Sequence, residues 1–175
     1  MIALLLTLSN ASAGSLAGVT LPETAKAGDS ALVLNGMGLR EKYMLDVYVA
    51  GLYLASKSRD AQSIIDADEA KQLVMVMKMD LGQQKLSESI TEAITGKGLS
   101  AEAVKGIHQI AGWMQDVSEG DKVMLEYVPG LGTSLYVRGS KRGTVEGLAV
   151  AQGLFAIFLG DPPVTKDLKN GLLGR

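Results

Sequence analysis

The chain has 175 residues, 47% of them hydrophobic and 21% charged, with 17 basic against 19 acidic side chains for a formal net charge of −2. This is the composition of one globular domain, and the mixing of charges with only 5% aromatics removes the basic stripe and stacking platforms that nucleic-acid binding uses. No cysteine and a single histidine exclude disulfides, thiol catalysis, iron–sulfur clusters, zinc fingers and multi-histidine metal sites.

The N-terminus reads Ile2 to Leu8 as an apolar run, followed by Ala11-Ser12-Ala13. Small residues at that spacing after a short apolar run are the end of a secretory signal peptide. No Lys or Arg precedes the run, and a buried N-terminal strand is the competing reading. The expectation is cleavage after Ala13, a single domain over 14–175, and an exported, periplasmic location. The run is far shorter than the roughly 20 residues of a membrane-spanning helix, and no other segment is long and apolar enough, so no integral membrane span is expected.

Val19 to Pro22 and Ala31 to Leu34 read as short strands with a turn at Gly28-Asp29. Asn35-Gly36-Met37-Gly38 reads as a tight turn, because Asn-Gly is a hairpin signal. Leu39 to Ala55 then reads as one long strand whose two faces are both apolar after Asp46, so its second half is expected to be covered on both sides. A brief helix over Ser58 to Asp66 precedes a strand from Lys71 to Asp80 with Leu73, Met75, Met77 and Met79 on one face. Gly82 to Ile94 is a helix with Leu86, Ile90 and Ile94 on one stripe. Ser100 caps a second helix, expected to reach about Val117. Lys122 to Val128, Ser134 to Arg138 and Lys141 to Val145 read as a meander. Glu146 to Leu159 is an apolar helix, and a last short helix ends at Leu172-Leu173. This order is α+β, an antiparallel sheet with helices on one face.

Motifs for the common catalytic and nucleotide-binding sites are absent: the sequence contains no G-x-S-x-G, Walker loop or G-x-G-x-x-G before a helix. His108 stands alone on a helix and reads as structural or solvent-facing. The acidic run Asp66-Ala67-Asp68-Glu69 lacks the glycine-bent spacing of a calcium loop and reads as a solvated turn. Met75, Met77, Met79 and Met114 read as core lining, or as the wall of a lipid cavity. Arg40 and Tyr48 share strand parity but lie about 27 Å apart at ~3.4 Å per residue, so cooperation requires a bend, bulge or hairpin near Glu41 to Asp46. Together at the edge of an apolar cleft they suit a carboxylate or enolate. Otherwise Arg40 is a surface residue paired with Glu41 or Asp46, and Tyr48 is core.

Leu34-Asn35-Gly36-Met37-Gly38-Leu39-Arg40 and Val47-Tyr48-Val49-Ala50-Gly51-Leu52-Tyr53-Leu54 resemble the G-x-R and Y-A-x-G-L-Y-L segments of chalcone isomerase-like proteins. The likeness continues through Leu73-Val74-Met75, Gly82 to Ile94, Gly120-Asp121-Lys122-Val123, Pro129 to Thr133 and Phe158-Leu159-Gly160, and the short exported form is similar to the bacterial branch. The resemblance implies an open-faced β-sandwich, a curved antiparallel sheet with helices packed on one face. It also implies that Arg40 matches the catalytic Arg of the plant isomerases, while Tyr48 stands where they have Thr. Their Tyr, Lys, Asn and Ser/Thr positions fall on Leu86, Ser89, Ala93 and Ala151, so chalcone isomerase activity is not expected. Fatty-acid-binding relatives hold a carboxylate with an Arg and a Tyr at these two positions. The expectation is therefore a cofactor-free, non-catalytic envelope protein that binds an apolar carboxylate through Arg40 and Tyr48, with the tail among Leu86, Ile90 and Met114. The alternatives are an isomerase or lyase using Arg40 as oxyanion stabiliser and Tyr48 as proton donor, and a structural protein whose cleft is filled by its own side chains.

Overall fold

The computed structural model describes residues 13–175, so the apolar run Ile2 to Leu8 and the residues up to Ser12 lie outside the described residues. Seven strands follow one another in sequence order as a single antiparallel sheet: β3 (Thr24–Ala27), β4 (Ser30–Lys42), β5 (Leu45–Leu54), β6 (Lys71–Met77), β7 (Lys122–Val128), β8 (Gly132–Val137) and β9 (Ser140–Val145). The hairpin β1 (Ala13–Leu16) and β2 (Val19–Pro22) forms a separate two-stranded sheet. The helices are α1 (Ala61–Asp66), α2 (Gln83–Ile94), α3 (Ala101–Gly112), α4 (Leu148–Leu159) and α5 (Lys166–Leu172). Among these no helix is long and apolar enough to cross a membrane. The α+β architecture is as expected.

The sheet separates two cores. On the helix side Ala50, Leu52, Leu73, Met75 and Leu125 meet Ile107, Ile110, Leu154 and Phe155. On the other side Val49, Tyr53 and Val76 meet Leu21, Leu32 and Leu34, with Leu21 supplied by the small hairpin. Val49 to Leu54 are buried without interruption, which is why that run has no polar alternation. The excursion from β6 through α2 and α3 to β7 is closed at its neck by a bridge between Leu81 and Val117, each amide donating to the other's carbonyl at 2.9 Å. α3 ends at Gly112 rather than near Val117, and Val117 belongs to the bridge instead.

Residues 35–38 are not a turn. β4 runs straight through them, and Asn35 is the extra residue of a bulge between Leu34 and Gly36. Its side chain is buried and fully engaged: Nδ2 donates to the carbonyls of Ser58 (2.9 Å) and Leu172 (2.8 Å), and Oδ1 accepts from the Ser58 amide (2.8 Å). The glycines serve packing. A Cβ on Gly36 would lie 2.2 Å from the Gly171 carbonyl oxygen, and one on Gly38 would lie 2.5 Å from that of Leu168. Backbone of α5 therefore rests directly on backbone of β4. The single strand expected over Leu39 to Ala55 is likewise two strands, reversing at Tyr43-Met44, where both residues have positive φ (52° and 64°).

Lys71 opens β6 fully buried, 1% exposed. Its Nζ donates to the carbonyls of Ile64 (2.5 Å) and Ala67 (2.8 Å) at the C-terminal end of α1 and lies 5.4 Å from the centre of the Phe155 ring. These bonds close carbonyls that the short helix cannot pair itself. Burial lowers the lysine to about 8, against a weaker pull upward from Glu69, Asp68 and Asp66. The acidic run 66–69 thus faces this lysine in part. Asp66 also accepts from Gln62 and Asp68 from the Tyr127 hydroxyl. Among the described residues no group of His, Asp and Glu side chains is placed to hold a metal ion.

Two predictions follow from these contacts. Gly38→Ala forces α5 off β4 and lowers stability by about 1–3 kcal/mol, as over-packing does. Gly112→Ala, whose Cβ would meet nothing within 4 Å, leaves the melting temperature unchanged or higher; equal losses in both would contradict the packing account. Separately, folded Lys71 releases its proton near pH 8 and an unfolded lysine near 10.5, so between those values the unfolded chain binds more protons and stability rises with pH. Above pH 10 the buried phenols of Tyr53 and Tyr127, pushed up to about 12, reverse the slope. Chemical denaturation across pH 7–10 is expected to show a rise of about 1–3 kcal/mol that Lys71→Met flattens, whatever that variant's absolute stability.

Candidate functional site

The reversal at Tyr43-Met44 brings Arg40 and Tyr48 together. A register shift between Arg40 and Glu41 makes Arg40 the direct cross-strand partner of Tyr48, with Lys42 opposite Leu45 nearer the tip. Cross-strand partners hold their Cβ atoms about 5 Å apart. Gly36, Gly38 and Arg40 alternate along β4 on the face that meets α5, so the flat glycine contact leads directly to the arginine. Arg40 Nη1 donates to the carbonyl of Val164, just before α5, at 3.0 Å. Among the described residues no carboxylate lies within ion-pair distance of it. Pairing of Arg40 with Glu41 or Asp46 does not occur, and the remaining guanidinium donors stay available.

Both residues line a cavity of about 710 Å³ between the sheet and the helices. Its floor is Met75, Met77, Val123 and Leu125 of the sheet, and its cover is Leu86, Ile90 and Ala93 of α2. Leu154, Ile157 and Phe158 of α4, together with Met114, close the far wall, and Pro162, Pro163 and Val164 border it beside α5. Leu86 and Ile90 are only half-buried although they sit on the apolar stripe of α2, because that stripe faces the cavity instead of packed side chains. The methionines expected as core lining, or as a cavity wall, are both: Met75, Met77 and Met114 are buried in the helix-side core, and these three and Met79 border the cavity. The cleft is not filled by its own side chains. All five residues expected from the sequence to form the ligand site, Arg40, Tyr48, Leu86, Ile90 and Met114, line this one cavity. His108 is exposed on α3 and Ala151 is fully buried in the core, and neither borders the cavity.

Burial in the cavity wall pushes the Tyr48 phenol above its ordinary value, and the nearby Arg40 charge opposes this more weakly. Tyr48 is therefore a neutral hydroxyl throughout the physiological range. No group among the described residues bonds it, so the hydroxyl is free to donate. Two further hydroxyls, on and just after α2, are committed, Ser89 Oγ donating to Lys85 O at 2.8 Å and Thr95 Oγ1 to Thr91 O at 3.1 Å, while Tyr43 is exposed at the cavity's hairpin edge. The charged lining is Arg40, Lys42, Lys85 and Lys97 against Glu92 alone. Lys97 Nζ donates to the carbonyl of Pro162 at 2.6 Å, and burial lowers its affinity for the proton. Lys42, Lys85 and Lys97 lie far apart in the sequence, 43 and 12 residues from one to the next, and the fold gathers them. The chamber is concave and mostly apolar with a few convergent cationic and neutral donors, an arrangement whose chemistry suits an anionic, otherwise apolar molecule.

A sequence model of chalcone isomerase-like proteins matches residues 13–174. Among solved structures, the chain is similar to a fatty-acid binding protein of Arabidopsis thaliana, with a TM-score of 0.74 and 18% identity over 93% of this chain and 96% of that one. At that identity the likeness speaks for the fold, the curved seven-stranded sheet with helices packed on one side. A comparison with curated protein sequences finds no match. The match along nearly the whole length, on the fold the sequence implied, makes this chain a member of the chalcone isomerase-like family.

Proposed function

We propose that the protein is a non-catalytic binding protein of the bacterial envelope that holds a fatty acid or similar apolar carboxylate, with its headgroup on Arg40 and Tyr48. The observation that carries this is the register pair itself: a cation with spare donors and a neutral, unpartnered hydroxyl side by side on the wall of a methionine- and leucine-lined cavity. The carboxylate accepts from both, the guanidinium bond being charge-assisted, and the tail lies among Leu86, Ile90 and Met114. The volume falls within the roughly 300–1,000 Å³ of small-molecule pockets. That the structurally similar Arabidopsis protein is a fatty-acid binding protein supports the same class of ligand.

A second reading is favoured by one feature, the protonated Tyr48 phenol beside Arg40: a proton donor and an oxyanion stabiliser for an isomerase or lyase on an unknown substrate. It lacks support from α2, where the positions matching the plant enzymes' polar groups are Leu86, Ala93 and a Ser89 already bonded to its own helix.

Native mass spectrometry of protein purified without detergent, with extraction of any bound molecule, separates these. A stoichiometric carboxylate is expected. Arg40→Ala weakens its binding by about 1.5–3 kcal/mol, or about ten- to hundredfold, as loss of a charged hydrogen bond does. Tyr48→Phe costs about 1 kcal/mol of affinity. A panel of fatty acids that fails to bind the parent protein sinks the binding reading. Turnover abolished by Tyr48→Phe while binding persists replaces it with the catalytic one.

The envelope location rests on the signal-peptide reading of residues 1–13. Cleavage after Ala13 would trim one residue from β1 and leave the pairs Gly14 with Leu21, Ser15 with Thr20 and Leu16 with Val19. N-terminal sequencing of protein recovered from the periplasm is expected to begin at Gly14, and protein found only in the cytoplasm with Met1 retained would contradict export.

A further inference from the structure

The β4–β5 turn is built at two costs. Tyr43 and Met44 both have positive φ, and the register pair Lys42 with Leu45 makes them the two central residues of the turn. That is a geometry for Asn-Gly or Asp-Gly, and side chains other than glycine are strained in it. The β8–β9 turn of the same sheet has the same geometry, with Gly139 in the second position. The β4–β5 turn instead displays large apolar groups to solvent: Tyr43 is 86% exposed, Met44 95% and Leu45 57%. These three are consecutive, and Tyr43 and Leu45 also border the cavity.

The charges are sorted as well. Lys42 lines the cavity side and its Nζ lies 5.5 Å from the centre of the Tyr43 ring. Glu41 and Asp46, partners across the hairpin, are not on the cavity wall. The tip thus combines an apolar point, an aromatic ring with a cation over it, and acidic groups kept off the cavity side. Lys85, also on the cavity wall, adds a second cation there. Aromatic and long apolar side chains flanked by lysine suit the boundary between the headgroups and acyl chains of a bilayer, with lysine at the anionic headgroups.

We propose that Tyr43, Met44 and Leu45 insert into the surface of an anionic lipid bilayer, so that the cavity meets the membrane at its β4–β5 edge. The proposal goes beyond the ligand reading and does not depend on it. Its test therefore uses vesicles and no added ligand.

Tyr43→Asn/Met44→Gly is the informative variant, because it supplies the preferred turn sequence while deleting the apolar tip. Its melting temperature is expected to equal or exceed the parent's. Its co-sedimentation with phosphatidylcholine–phosphatidylglycerol vesicles is expected to fall by at least about tenfold. The chain has no cysteine, so Met44→Cys takes a single environment-sensitive thiol dye. Its emission is expected to shift to the blue on those vesicles, less so without phosphatidylglycerol. A dye at Leu131→Cys, exposed on the β7–β8 turn at the opposite end of the sheet, is expected not to shift. Undiminished sedimentation of the Asn-Gly variant overturns the proposal, as does an unshifted dye at position 44 on vesicles that bind the protein. So does a dimer in lipid-free light scattering that the Asn-Gly variant dissolves, since the tip then meets a second copy of the chain.

Discussion

The position of the cavity depends on how closely α5 lies on β4. Gly36 and Gly38 on the strand and Gly171 on the helix remove Cβ atoms from both sides of the contact; a Cβ on Gly171 would lie 2.3 Å from the Met37 carbonyl oxygen. With the backbones in contact, Asn35 reaches the Leu172 carbonyl, and Val164 comes within a hydrogen bond of Arg40. The second bond matters most for the site. A free arginine near the end of an exposed hairpin has many rotamers and loses about 2 kcal/mol of freedom when fixed. The Val164 carbonyl selects an arrangement in which the guanidinium lines the cavity, away from the carboxylates of Glu41 and Asp46. Glycines that touch no ligand thereby place the group proposed to hold one.

The cavity itself follows from incomplete packing of α2. Of that helix only Ile94 is fully buried, and its apolar stripe ends against the chamber. Interiors otherwise pack to crystalline density, and an apolar wall left without neighbours forfeits dispersion contacts as well as burial. A fold retaining about 710 Å³ in this form gives up stability that larger side chains would supply. Methionine suits such a wall, because its unbranched, polarizable side chain adapts to occupants of different shape where leucine or isoleucine would fix one.

The legible parts of the fold are those where local chemistry and tertiary structure agree. The turn at Gly28-Asp29, the Ser100 cap, the helix from Gly82 and strands β6 and β7 are all of this kind. The misreading at 35–38 arose because Asn-Gly carries a strong hairpin signal, and here both residues answer tertiary demands instead: Asn35 staples β4 to α5 and to Ser58, while Gly36 permits the contact. The true reversal at Tyr43-Met44 carries no Gly, Asn or Asp at its centre, so local turn chemistry is silent there. The two errors are linked. Moving the turn eight residues along the chain folds Tyr48 back beside Arg40, and the 27 Å separation of a straight ~3.4 Å-per-residue strand disappears. The cationic lining was hidden for a different reason: Lys42, Lys85 and Lys97 form no cluster along the sequence, and only the β4–β5 hairpin, α2 and its following turn bring them to one chamber.

That lining also bears on binding against turnover. A chain with net charge −2 places four cations and one anion around an apolar chamber, and low-dielectric walls strengthen the field such groups project inward. Drawing in and holding an anion needs little more than this field and one or two bonds at the headgroup. Accelerating a reaction needs more: donors fixed in advance at the atoms where charge develops, and a group placed to move a proton. Ser89 and Thr95 spend their hydroxyls on their own helix, Leu86 and Ala93 have none to offer, and Lys97 is bonded to Pro162. What remains within the partly buried lining is the Arg40–Tyr48 pair, while Lys42, Tyr43 and Lys85 are exposed. Attraction is supplied by many residues and orientation by two, and this distribution favours retention of a ligand over its transformation.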